Sequence, residues 1–190
     1  DTCEGVGEVL WSMGDVIMPV LNKLGLDAYT PGIWEFAYVP AVFRHRFVDL
    51  CKANPNWQFP GPGGNPGGAA AQCPVIPANA RIMTDSDGQN GVVAANFPTL
   101  ANNIYNGGPY PLGAGFYGKR PLKPYMVFER NGVKIGVIGI TSSIVPQQPP
   151  VFSRTLSFSQ GTEELPADIA AAKAEGAEII VIMSELALPQ

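Results

Sequence analysis

Few residues in this chain could perform acid–base, nucleophilic or metal chemistry, and most of those few sit in the wrong setting. One histidine and three cysteines occur among 190 residues. His45 lies between Arg44 and Arg46 in a stretch that reads as helix, so a solvated helix face is the expectation. A single imidazole cannot supply a multi-histidine metal site. Cys51 and Cys73 bracket a Pro/Gly-rich segment and either form a bridge, worth roughly 3 kcal/mol in loop-entropy terms, or remain free thiols. No Cys-x-x-Cys pair occurs, which argues against a thiolate site. Asp85 and Asp87 in TDSDGQNG lack the closing Glu of a calcium loop and read as a turn. Ser142 and Ser143 follow IGIT without the Gly-x-Ser-x-Gly elbow that exposes a serine nucleophile. Gly136 and Gly139 lie inside a strand with no helix opening after them, so they are expected to serve packing rather than phosphate binding. Two carboxylates at opposite ends of the chain remain, Asp1 in DTCEGVG and Glu185 in SELALPQ. Taken alone, each is as well read as a solvated carboxylate as a ligand.

Elements that could hold such groups are legible in the hydrophobic pattern. Val9, Leu10, Met13, Val16, Ile17, Val20, Leu21 and Leu24 recur at spacings of three and four, which predicts a helix over 8–24 with a kink or restart near Pro19 and a stop at Gly25. LDAYTP reads as a short buried strand closed by Pro31-Gly32, and a second helix is expected from Pro40 to Lys52 with its proline in the first turn. From 53 to 91 the composition turns Gly/Pro-rich and cannot continue a helix or a central strand, so an insertion is expected there, with a second at about 106–124. GVVAANF suggests a strand over Val92 to Phe97. YMVFERNGVKIGVIGIT is the clearest signal: two apolar runs flank Asn131-Gly132, a strong hairpin turn. Val133 to Ile140 is apolar on both faces and belongs in the middle of a covered sheet. A helix over 162–175, stopped by Gly176, then precedes AEIIVIMS, expected to be a buried strand. Strand, helix and strand alternating with a hairpin predict an α/β domain with a mixed sheet.

Composition narrows the classes. Hydrophobic residues make up 46% and charged ones 15%, so the chain should fold. Twelve basic residues against sixteen acidic ones, scattered rather than clustered, give no basic face for nucleic acid. No apolar run approaches the roughly 18–20 residues that span a bilayer. Without a Met start or a basic leader, the chain is expected to be a processed product or a fragment.

Taken together and in order, DTCEGVG, MGDVIMPVLNKLGLDAYTPGIWEFAYV, FPTLANNI and YMVFERNGVKIGVIGIT resemble the 5'-nucleotidase family of calcineurin-like metallophosphoesterases. The likeness is closer to its branch with Trp in the signature turn, which includes the SoxB proteins of bacterial thiosulfate oxidation. It covers nearly the whole chain outside the Gly/Pro-rich segments. It implies a mixed-sheet, layered sandwich over residues 1–190, incomplete at both ends, that holds two divalent metals, Mn or Zn, to polarise an ester and generate hydroxide. Carried over, Asp1 matches the metal-bridging carboxylate and Gly5 the Gly of its motif, Glu185 falls at a histidine position, and Asn102 and Asn103 either reach the substrate cleft, as the resemblance implies, or serve capping or turn formation. The Gly-Asn-His-Glu-Phe turn falls on Gly32-Ile33-Trp34-Glu35-Phe36. Trp34 is tolerated in the nearer branch, whereas Ile33 offers no lone pair where an Asn ligand should stand. Val6 replaces a small hydroxyl residue and Val39 a glycine; a β-branched side chain at positive φ would strain the turn.

Two functions follow from the resemblance. The first is a hydrolase of phosphate esters such as nucleotides, within a complete chain whose further His motifs would lie before Asp1 and after Gln190. The second is a non-catalytic binding or assembly component without metals, contacting a protein through Trp57, Phe59, Tyr105, Tyr110, Phe116 and Tyr117 in the Gly/Pro-rich segments. The family is commonly exported, which implies a periplasmic or extracellular location.

Overall fold

The structure, a computed structural model, describes residues 2–3, 7–48, 92–107 and 118–186. The insertion at 53–91, most of that at 106–124, Cys51, Cys73, Asp85, Asp87 and Asp1 lie outside the described residues.

The 8–24 segment is two short helices rather than one. α1 spans Gly7–Trp11 and α2 spans Met18–Lys23. The break comes at Met13 and Gly14, whose φ values of 48° and 87° are incompatible with a continuing helix. Pro19 instead occupies the first turn of α2, where its missing N–H is harmless. This break rotates the apolar positions apart, so Val9, Met18 and Leu21 are buried while Leu10, Trp11, Val16, Val20 and Leu24 face outward. Gly25, at φ +65°, ends α2. α3 runs Val39–Phe47.

Chain order continues with β1 (Ile104–Asn106), β2 (Tyr125–Arg130), β3 (Val133–Ile140), β4 (Leu156–Phe158), α4 (Leu165–Ala174) and β5 (Ile179–Ser184). β1 and β4 pair antiparallel with Ile104 opposite Phe158. The main sheet has the order β2-β3-β5, antiparallel on one side of β3 and parallel on the other. The Asn-Gly hairpin forms as expected, with both turn residues at positive φ. The predicted strand at LDAYTP reduces to a single bridge, Tyr29 to Thr99, and the one predicted over 92–97 does not form; the next bridge is Leu100 to Lys123. The backbone of these two segments makes isolated cross-links instead, Tyr29 N–H to Pro98 O at 2.9 Å and Ala95 N–H to Arg46 O at 2.9 Å.

Glycines in β3 are packing residues. A Cβ at Gly139 would lie 2.3 Å from the Leu100 carbonyl oxygen, and one at Gly136 would meet Ala172, Ala177 and Ile180 at 3.0–3.1 Å. They let the 98–102 segment close on one face of β3 and α4 close on the other. The principal core gathers Met18, Phe36, Phe43, Phe47, Phe97 and Ile104, with Phe36 and Phe43 stacked at 4.5 Å. A smaller cluster joins Cys3, Val9, Tyr38 and Val42.

β5 departs from expectation. Its sequence reads as a covered strand, yet Ile179, Val181 and Ile182 are 49%, 40% and 44% exposed. β3 covers one edge, and among the described residues nothing pairs with the other.

Candidate active-site turn

β3 and β5 are parallel, so their carboxyl ends fall together, and side chains from several segments converge there. Thr141 follows β3 and is buried; its hydroxyl donates to the Pro31 carbonyl, bringing the start of the Gly32–Phe36 turn to this end of the sheet. Trp34–Phe36 close as one turn of 3₁₀ helix with Ile33 as its cap. Glu185 follows β5, and its N–H extends the ladder to Ile140 O at 2.9 Å.

Asn103 acts as a piece of extra backbone at this end. Its side-chain amide donates to Thr141 O at 2.9 Å and Ser159 O at 3.1 Å, and its Oδ1 accepts from Thr141 N–H at 2.9 Å. Asn102 donates to Gly161 O at 2.9 Å, while its Oδ1 is buried without a partner. Both asparagines are fully buried, so what they present to this end is the backbone they hold rather than free amides.

Glu35 is the group that sequence reading passes over. Its side chain is fully buried. Oε1 accepts from Thr2 N–H at 2.7 Å, Thr2 Oγ1 at 2.9 Å, Cys3 N–H at 3.1 Å and Tyr29 OH at 2.9 Å, and Oε2 accepts from Gly32 N–H at 2.7 Å. Burial pushes this carboxyl up and the Thr2 and Tyr29 donors draw it down, the net shift being to below the usual range. Burial also lifts the Cys3 thiol, to about 11, against the pull of Arg46, so Cys3 is a thiol and not a nucleophile at neutral pH.

The arginines flanking His45 overturn the solvated-face expectation. Arg44 and Arg46 are fully buried and His45 is half-buried. Arg46 pairs with Asp15 at 2.7 Å, and Asp15 also accepts from Val93 N–H at 3.0 Å. Arg44 reaches Asn106 Oδ1 at 2.8 Å and Thr155 O at 3.0 Å, and burial draws its pKa down to about 10. The available signal was the apolar company, Val42, Phe43, Phe47 and Val48, which leaves α3 no polar face.

The described donors do not fit a two-metal centre. Ile33 is half-buried and has no lone pair, Glu35 is saturated by five protein donors, and Glu185 is exposed. Among the described residues no three His, Cys, Asp or Glu side chains converge. A pocket of about 380 Å³ beside Phe97, Thr99, Lys123 and Met126 contains none of the residues expected from the sequence to form a site.

No family model matches the chain. Over 48 residues, a quarter of this chain and 7% of the relative, it is 44% identical to a 5'-nucleotidase of Vibrio cholerae. Among solved structures, the sulfate thiohydrolase SoxB of Thermus thermophilus superimposes at a TM-score of 0.58 with 16% identity, over 97% of this chain and 24% of that one. The calcineurin-like phosphoesterase YfkN of Bacillus subtilis gives 0.54 and 18%, over 96% and 45%. A 5'-nucleotidase precursor of Thermus thermophilus gives 0.54 and 18%, over 93% and 25%. The fold is therefore that of the calcineurin-like phosphoesterases. Within that fold the chain is a partial match to the 5'-nucleotidase/SoxB-like branch, spanning a small part of the curated relative and less than half of each solved structure.

Proposed function

We propose that this chain is part of a phosphoesterase domain that, in a complete polypeptide, hydrolyses phosphate esters such as nucleotides, with a turn that no longer contributes its own metal ligand. The supporting observation is the placement of Gly32–Phe36 at the carboxyl ends of β3 and β5, held by Thr141 and Glu35, with Ile33 where the resemblance requires Asn. In this reading Asp1 and Glu185 are the carboxylates available to two divalent ions, Mn²⁺ or Zn²⁺. Asn102 and Asn103 shape the substrate side through the backbone they hold. The ions would supply Lewis-acid polarisation of the ester and a lowered water pKa. The resemblance to commonly exported enzymes supports a periplasmic or extracellular location, and no described helix is long and apolar enough to cross a membrane.

The test is Mn²⁺ binding by calorimetry to a complete polypeptide and to its Ile33→Asn variant. An added first ligand should tighten binding about tenfold or more, since even outer-shell changes at metal sites have effects of about that size. Equal affinity would show that position 33 does not face the metals.

A second reading is a non-catalytic binding or assembly component. It is favoured by the outward-facing apolar side chains of α1 and α2, with Trp11 76% exposed. A complete polypeptide that folds yet shows no metal-stimulated nucleotide hydrolysis would select it.

A further inference from the structure

Metal ions commonly cross-link the segments that ligate them, and the described segments that meet at this turn are also tied directly by hydrogen bonds of the protein. Residues 2 and 3 reach the 29–38 region through three donors to Glu35 Oε1 and two further bonds, one between Thr2 Oγ1 and Tyr29 OH and one from Tyr38 OH to Cys3 O at 2.6 Å. The same carboxylate takes Tyr29 OH and the Gly32 N–H, so it joins the bridge at Tyr29, the turn and the 2–3 segment at one point. Among these partners the two tyrosines and Cys3 are neutral at ordinary pH, and the Thr2 and Tyr29 hydroxyls also hydrogen-bond each other, so one of the two accepts as well as donates. A fully buried carboxylate needs protein donors in place of water, and here both oxygens have them, Oε1 most densely.

We propose that Glu35 is the positioning residue of this site: its carboxylate, rather than a bound metal, ties residues 2–3 to the Gly32–Phe36 turn. The role follows from geometry and holds whether or not a complete polypeptide gathers metals through other residues. Glu35 acts here through the segments its carboxylate joins. It sets where residues 2–3 and the turn that carries Ile33 and Trp34 lie relative to one another.

Cys3 reports on this contact, since it is buried and its N–H is one of the donors. In the 190-residue chain with Cys51 and Cys73 replaced by serine, alkylation of Cys3 at pH 8 reads the local opening of the 2–3 segment. Amide hydrogen exchange at Val137 and Ile138 reads the main sheet in the same samples. Glu35→Gln keeps the shape, removes the charge and turns one acceptor into a donor; it should speed Cys3 alkylation about 10- to 100-fold, the scale of a lost charge-assisted hydrogen bond. β3 exchange should stay unchanged. Thr2→Ala removes the hydroxyl that contacts both Glu35 Oε1 and Tyr29 OH, and should speed alkylation about 3- to 10-fold with β3 exchange again unchanged. Cys3 protection unchanged in both variants would overturn the proposal. So would release of Cys3 by EDTA in the unmutated clamp to the extent seen with Glu35→Gln, because the tie would then be a metal.

Discussion

Val39 shows how one residue can carry the history of a turn. It opens α3 at φ 69°, a conformation that places a β-branched side chain against its own backbone. The resemblance implies glycine there, and the positive φ that would strain a β-branched residue is present. The half-buried isopropyl group packs against the Cys3–Val9–Tyr38–Val42 cluster, which offsets part of the cost. Two substitutions separate these effects. Val39→Ala removes the packing and keeps the Cβ in the left-handed region, whereas Val39→Gly removes both. The Gly variant should be the more stable by about 1 kcal/mol in urea unfolding, the reverse of the order at an ordinary helix position. An Ala variant as stable as the Gly variant would mean that the turn relaxes without glycine.

Among elements, the junction of β1, β4 and α4 depends on one acid. Glu164 caps α4 and accepts from Tyr105 OH in β1 at 2.6 Å and from Ser159 Oγ just after β4. Burial pushes its carboxyl up, but the Ser159 and Tyr105 hydrogen bonds and the nearby Arg120 guanidinium outweigh it, so the folded pKa lies below the ordinary one. The sign follows: this contribution is fully present above the ordinary carboxylate pKa and is lost as pH falls through the depressed folded value. The urea midpoint should therefore fall between pH 6 and pH 3. Glu164→Gln should reduce that fall by the equivalent of roughly 1 kcal/mol, the share of hydrogen bonds to a half-exposed charge. An acid limb identical in the two proteins would place the pH dependence elsewhere.

For the molecule as a whole, the open side of β5 is the feature most exposed to consequence. Ile179, Val181 and Ile182 present an uncharged, β-branched edge with no proline, bulge or inward charge to block further pairing. In isolation this chain should self-associate through that edge. Val181→Lys places a charge on the open strand and should lower the apparent mass in light scattering at a given concentration. It should cost under about 0.5 kcal/mol in stability, as for other exposed positions. Persistent association in the Lys variant would move the contact to the outward side chains of α1 and α2.

What the sequence determined by itself was whatever a local rule could fix. The Asn131-Gly132 hairpin, the central place of Val133–Ile140, the stops at Gly25 and Gly176, and the resemblance at the turn all rest on neighbouring residues and short periods. Tertiary structure decided the rest. The 8–24 period of three and four could not show that Met13 and Gly14 would break the helix and turn half its apolar positions outward. The alternating charges of Arg44, His45 and Arg46 read as solvent-facing, yet Asn106, Thr155 and Asp15, remote in sequence, receive both arginines inside. Glu35 was visible only as one letter of a familiar turn, because its partners Thr2 and Cys3 lie more than thirty residues away. A buried carboxylate is paid for by donors that only the folded chain brings together, and no local pattern encodes them.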